Sequence, residues 1–363
     1  MTSPLEPQPA PGRLAGAPPA PQWALAAVLS LLLASGLQAA GFPGALLIGP
    51  MLAGVIMGGL GTTVRLPQKA FSWAQTIVGC MIANSLSPGL FPAFLADWPM
   101  FLGVTVATLL ASSLLGWLIS RWRILPGTVG VWGSAPGASS AMVLMAGSFG
   151  ADQRLVAFMQ YLRVVIVTGV AAAIAHWWVG ASGAALPPVV WFPPVDPVAL
   201  ASTFAVAIAG ALAARAIRLP TPYFLGPMIL GVALRFSGLV EFQLPPWLLA
   251  ASYALIGWAI GLRFTRQTIL AVRRALPQVT LSIFALILFC GALGALLWAF
   301  AGVDPLTAYL ATSPGGMDAV AIIAAASHNV DISFIMVMQM MRFIIVLLFG
   351  PMLARLVAGW VKP

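Results

Sequence analysis

The chain has 363 residues, 61% hydrophobic and only 7% charged, with a mean hydropathy of +1.01. Soluble domains carry about 25% charged residues. This composition therefore excludes a soluble enzyme, a disordered chain and a nucleic-acid-binding module, and leaves a polytopic helical membrane protein. The net charge of +9, from 17 Lys and Arg against 8 Asp and Glu, sits in short loops between apolar runs, the positive-inside pattern of membrane proteins.

Residues 1–22 are rich in Pro and Ala and read as a disordered cytoplasmic tail without the features of a signal peptide. Apolar segments follow at 23–40, 42–60, 69–88, 98–120, 125–149 and 154–179, and again at 198–217, 222–239, 246–264, 276–300, 305–328 and 332–357. They do not alternate as strands of a membrane barrel do. The two sets of six match each other. LIGPMLAGV at 47–55 matches FLGPMILGV at 224–232, with Pro43 opposite Pro220, and QYLRVVIV at 160–167 matches QMMRFIIV at 339–346. Gly-Ser-Ala-Pro-Gly at 133–137 matches Ala-Thr-Ser-Pro-Gly at 311–315. The chain is an internal duplication, with repeats at 23–181 and 197–358 joined by a linker at 182–196, and a short tail at 359–363.

The linker carries no Lys or Arg and is expected outside. Loops with Arg65 and Lys69, Arg121 and Arg123, Arg215 and Arg218, and the arginines of 263–274 are expected inside. Every loop except the one holding Arg235 agrees with this rule if the fifth segment of each repeat enters and leaves the membrane on one side. The predicted fold is therefore all-α, with two inverted repeats, each of five transmembrane helices plus one re-entrant or broken helical hairpin. Both termini are cytoplasmic, in a bacterial inner membrane. Inverted repeats with broken helices are an architecture of secondary transporters.

The fifth segments concentrate the candidate chemistry. Ser134, Pro136, Gly137, Ser139 and Ser140 in the first, and Thr312, Ser313, Pro314 and Gly315 in the second, surround a Ser/Thr-x-Pro-Gly break. Proline removes a backbone donor and glycine tolerates reversal, so these residues must lie inside the bundle beside a polar cavity. Arg163 lies nine residues after Arg154, about 13 Å along a helix, and Arg342 ten after Ile332, about 15 Å. Both therefore sit near the midplane, each with a glutamine, Gln160 or Gln339, three residues earlier on the same face. The two pairs either bind an anionic solute or clamp hairpin carbonyls. Asp318, the hairpin carboxylate, either couples transport to H+ or Na+ or serves as counter-ion to one of the arginines. The glycine-proline pairs Gly49-Pro50 and Gly226-Pro227 read as close-packing positions.

No metal site and no cofactor is expected. Cys80 and Cys290 lie in apolar runs, and His176 and His328 are too few for a copper or di-iron centre. The duplicated GPM-LGV, Ser/Thr-x-Pro-Gly and Gln-x-x-Arg elements resemble the AbrB duplication family of bacterial membrane proteins, over nearly the whole chain after the tail. The resemblance implies labels such as ammonia monooxygenase or AbrB family regulator, although the residues supply neither the ligands of the one nor a soluble DNA-binding module of the other. The architecture is also similar to inverted-repeat carriers such as the glutamate:sodium symporters, at the level of fold alone. The expected function is non-enzymatic: a secondary transporter or exchanger of a small anionic or carboxylate-bearing solute. The alternative is an AbrB-type membrane regulator or sensor that affects gene expression without transport. The expected partners are the lipid bilayer and the solute, with no nucleic acid; a homodimer is left open.

Overall fold

The computed structural model describes residues 14–42, 44–86, 90–135, 142, 146, 149, 151–181, 190–219, 221–273, 275–327 and 330–360. These form an all-α membrane protein. In the first repeat the described helices are α1 (Pro19–Ala39), α2 (Ala45–Gly59), α3 (Gln68–Ser85), α4 (Leu90–Arg121), α5 (Val129–Ser134) and α6 (Gln153–Ala181). In the second they are α7 (Pro197–Ala216), α8 (Pro222–Phe236), α9 (Pro246–Gly261), α10 (Arg266–Val272), α11 (Leu276–Ala301), α12 (Pro305–Thr312), α13 (Met317–Ala325) and α14 (Ile332–Trp360). Five of these segments, in α1, α4, α6, α7 and α11, are long and apolar enough to cross a membrane.

The helices sort into two bundles that each draw on both repeats. α1 packs on α2 and α7 on α8, while α2 packs on α9 and α3 on α8, so the first three segments of both repeats form one bundle. In the second, α5 and α12 pack against α4 and α11 respectively, α6 and α14 line them, and α4 touches both α11 and α14. We call this the hairpin bundle.

Small residues explain the tight packing inside each bundle. A Cβ on Gly226 would fall 2.2 Å from the Gly210 carbonyl oxygen, and one on Gly49 2.5 Å from the Ala34 nitrogen, so only glycine lets these helices meet. This confirms the packing role expected of both glycine-proline pairs. In the hairpin bundle Gly116 lies against Gly130 and Val131, and Gly294 against Thr312 and Tyr309. Contacts across the boundary between bundles run through side chains: Phe42 stacks on His176 with ring centroids 4.4 Å apart, Phe158 meets Phe264 edge-on at 5.5 Å, and the Arg263 guanidinium sits 4.6 Å over Tyr161.

The inversion of the repeats is visible in α6 and α14. α6 begins beside Arg263 and Phe264 and ends with His176 against Gly41. α14 begins at the end of the molecule where α6 finishes, because Ile323, shortly before it, packs on Gly44. The charges follow this frame. Asp152, Asp196, Asp304 and Asp331 each accept backbone N–H bonds at the start of α6, α7, α12 and α14, a cap worth about 0.5–2 kcal/mol. Arg235, the exception to the loop-charge rule, donates to the Ala83 and Leu86 carbonyls at the end of α3, so helix capping rather than topology places it.

The chain is ordered earlier than the expected tail boundary at residue 22. Leu14 N–H donates to the Leu60 carbonyl, α1 starts at Pro19, and the Gln22 side chain is fully buried between the Leu14 and Ala17 carbonyls, Thr62 and Thr63. Pro43 and Pro220 lie outside the described residues. Cysteines placed at exposed Asp152 and Asp331 should label from opposite faces of the membrane with an impermeant maleimide, since native Cys80 and Cys290 are both buried. Labelling of both from one face would contradict the inverted arrangement.

Candidate functional site

The second hairpin is re-entrant. α12 runs inward for eight residues, the chain breaks at 313–316, and α13 returns. The way out closes beside the way in: the Asp331 N–H, just past the hairpin, donates to Thr307 Oγ1 near the start of α12 at 3.0 Å. Pro314 and the glycines that follow it stop the helix, which leaves its last carbonyls without helical donors.

α14 supplies those donors. Gln339 Nε2 donates to the carbonyls of Leu310 (2.9 Å), Ser313 (3.2 Å) and Ala311 (3.3 Å). Arg342 Nη1 donates to Ser313 O at 2.6 Å, and Nη2 to Gly315 O at 3.2 Å and to Gln339 Oε1. The first repeat does the same. Gln160 Nε2 donates to Trp132 O (3.0 Å) and Ala135 O (2.9 Å), Arg163 Nη1 to Ala135 O (2.8 Å), and Arg163 Nη2 to Gln160 Oε1 (2.9 Å). All four side chains are buried. An orphaned buried carbonyl costs about 1–3 kcal/mol, and a mid-membrane arginine roughly 2.5–3.5 kcal/mol on insertion scales. Each cost is offset by the other's presence. Of the two readings of the Gln/Arg pairs, the carbonyl clamp is the one these hydrogen bonds make.

The two hairpins meet each other's clamp helices. A methyl on Gly315 would touch Val167 of α6 at 3.3 Å, and one on Gly350 of α14 would press on Met142 of the first hairpin at 2.6 Å. Thr312 and Ser313 hydroxyls turn back onto the Ala308 and Leu310 carbonyls, and Pro314 and Gly315 are buried at the tip. Ser134 lines a small cavity of about 20 Å³ with Ser112, Ser282 and Arg163, enough for one water-sized species. Arg163 Nε, Thr105 Oγ1 and Tyr309 Oη are buried with no partner among the described residues. The predicted residues Pro136, Gly137, Ser139 and Ser140 lie outside the described residues.

Asp318 corrects one of its two readings. It lies in the first turn of α13, accepts a hydrogen bond from Gln75 Nε2 of α3 at 3.1 Å, and makes no ion pair with Arg163 or Arg342. It thus joins the hairpin bundle to the other bundle. Gln75 is the residue that sequence reasoning passed over; it is one of three adjacent buried polar residues of α3, with Ser72 and Thr76, and nothing in the local pattern sets it apart from them. Among the described residues no three His, Cys, Asp or Glu side chains gather as metal ligands.

A family model described as "Transition state regulatory protein AbrB" matches residues 46–358, which span both bundles and both hairpins. The chain belongs to the AbrB family. It is 46% identical over 343 residues to the Escherichia coli (strain K12) protein named "Putative regulator AbrB", covering 94% of this chain and 98% of that one. It is 24% identical over 305 residues to "Uncharacterized protein YhjN" of Bacillus subtilis (strain 168), covering 78% and 77%.

Proposed function

We propose that this AbrB-family protein is a secondary carrier of a small anionic or carboxylate-bearing solute, non-enzymatic, in the bacterial inner membrane. The observation that carries this reading is that both Gln/Arg clamps, each holding a broken helix end, lie in one bundle, whose contacts with the other bundle run through side chains. Within each bundle backbone meets backbone at glycines, so each moves as a body; the boundary between them is where sliding costs least. Displacement of the hairpin bundle would expose the region of the hairpin tips first to one side and then to the other.

Arg163 and Arg342 have a double part in this scheme. Their Nη atoms hold the broken helices, and their charge makes the tip region favourable to an anion. Arg163 Nε and the hydroxyls of Ser112, Ser134 and Ser282 are the groups nearest to hand for a ligand on the first-hairpin side. Asp318, held by Gln75 across the boundary, is the H+ or Na+ coupling group, since its charge state would alter the contact that ties the two bundles.

The test is uptake of labelled carboxylates and amino acids into proteoliposomes. Asp318→Asn should lose gradient-driven accumulation while keeping exchange of solute across the membrane. Full accumulation in that variant would remove Asp318 from coupling. The name of the E. coli relative favours a second reading, a membrane regulator that binds a ligand without moving it. Saturable binding of an anion together with no uptake or exchange would select it.

A further inference from the structure

A second polar site lies away from the hairpin tips, at the arginine-bearing end of the molecule. A cavity of about 370 Å³ opens between the two bundles there. Arg65, from the α2–α3 connection, and Trp258 and Arg263, from the end of α9, form the wall from one bundle. Arg154, Phe158 and Tyr161, from the start of α6, form the wall from the other.

No carboxylate is among the residues that line the cavity. The nearby Asp152 is occupied by the backbone N–H groups of Arg154 and Leu155. Two of the three arginines are held in place. Arg65 Nη1 donates to Val64 O at 2.8 Å and Thr62 O at 3.3 Å, and Arg263 Nε to Ala259 O at 3.1 Å while its guanidinium covers the Tyr161 ring at 4.6 Å. Positive-inside charge alone asks only for arginines in these loops. It does not ask that three converge on one concave, aromatic-walled space of the size small-molecule sites have.

We propose that this cavity binds an amphipathic oxyanion: a carboxylate or phosphate received by Arg65, Arg154 and Arg263, with its apolar body against Phe158 and Trp258. Because each bundle supplies part of the wall, the bound anion bridges the boundary between them. The site stands apart from the carrier reading, since binding is expected whether or not transport occurs. The chemistry is shared by a free organic anion and the headgroup of an acidic lipid.

The test is calorimetric titration of the purified full chain in non-ionic detergent with benzoate, acetate, phenylphosphate and, separately, dihexanoyl phosphatidylglycerol. Benzoate and phenylphosphate should bind saturably and more tightly than acetate. Arg154→Gln combined with Arg263→Gln should weaken binding at least tenfold, and Arg154→Lys with Arg263→Lys should retain most of it. Both side chains are exposed, and an unchanged gel-filtration profile confirms that the variants fold. Saturable binding of the lipid alone, with the same dependence on the arginines, supports the site and assigns the headgroup as its occupant. Binding of no probe, or binding unchanged in the Gln double variant, overturns the proposal.

Discussion

Arg342→Gln should cost the protein much of its stability, not only its activity. The substitution removes the donors to Ser313 O and Gly315 O at the break of the second hairpin and the partner of Gln339 Oε1. Ser313 O keeps its bond from Gln339 Nε2, but Gly315 O and Gln339 Oε1 lose their donor. At about 1–3 kcal/mol for each buried group left unpaired, these two amount to about 2–6 kcal/mol, against a total stability of about 5–15 kcal/mol for a typical domain. Arg342→Lys should fall between, because an ammonium keeps the charge but not the two-pronged reach. Thermal melting followed by size-exclusion chromatography measures this. A variant that melts like the wild type yet fails to bind solute would show that Arg342 serves the ligand rather than the fold.

The second large effect is at Gly58. A methyl there would sit 1.7 Å from the backbone oxygen of Phe264, where α2 crosses the chain just after α9. A backbone carbonyl cannot turn aside as a side chain can, so Gly58→Ala should destabilise by about 3 kcal/mol or more. Gly291, in α11, has nothing within 4 Å of the same position. Gly291→Ala should be neutral or stabilise by roughly 0.5–1 kcal/mol through helix propensity alone. Equal melting of the two variants would contradict the close packing of the first bundle.

Much of this architecture was legible in the residues. The duplicated Gln-x-x-Arg and Pro-Gly elements, with the loop charges, imply inverted repeats and re-entrant hairpins, because membrane burial punishes an unsatisfied backbone and an unpaired charge. The partner of each arginine was harder to read. Carbonyls and anions attract a guanidinium alike, and only the register of α14 against α12 puts Arg342 on Ser313 and Gly315. Asp318 was similarly ambiguous. Its hydrogen bond to Gln75 joins residues 243 apart in sequence, a pairing that no local pattern encodes. The division into two bundles was also hidden, since it cuts across both repeats rather than between them. Its signal was in glycines such as Gly54 and Gly261, which approach each other closely from different repeats.

The central claim, that the hairpin bundle moves against the other to carry a solute, is tested most directly by joining the two. Phe42 and His176 stack across the boundary with centroids 4.4 Å apart and belong to neither clamp. Phe42→Cys with His176→Cys, bridged by a short reducible bis-thiosulfonate, should abolish solute flux in proteoliposomes and recover it on reduction, while either single variant transports normally. Undiminished flux through fully cross-linked protein would contradict the account.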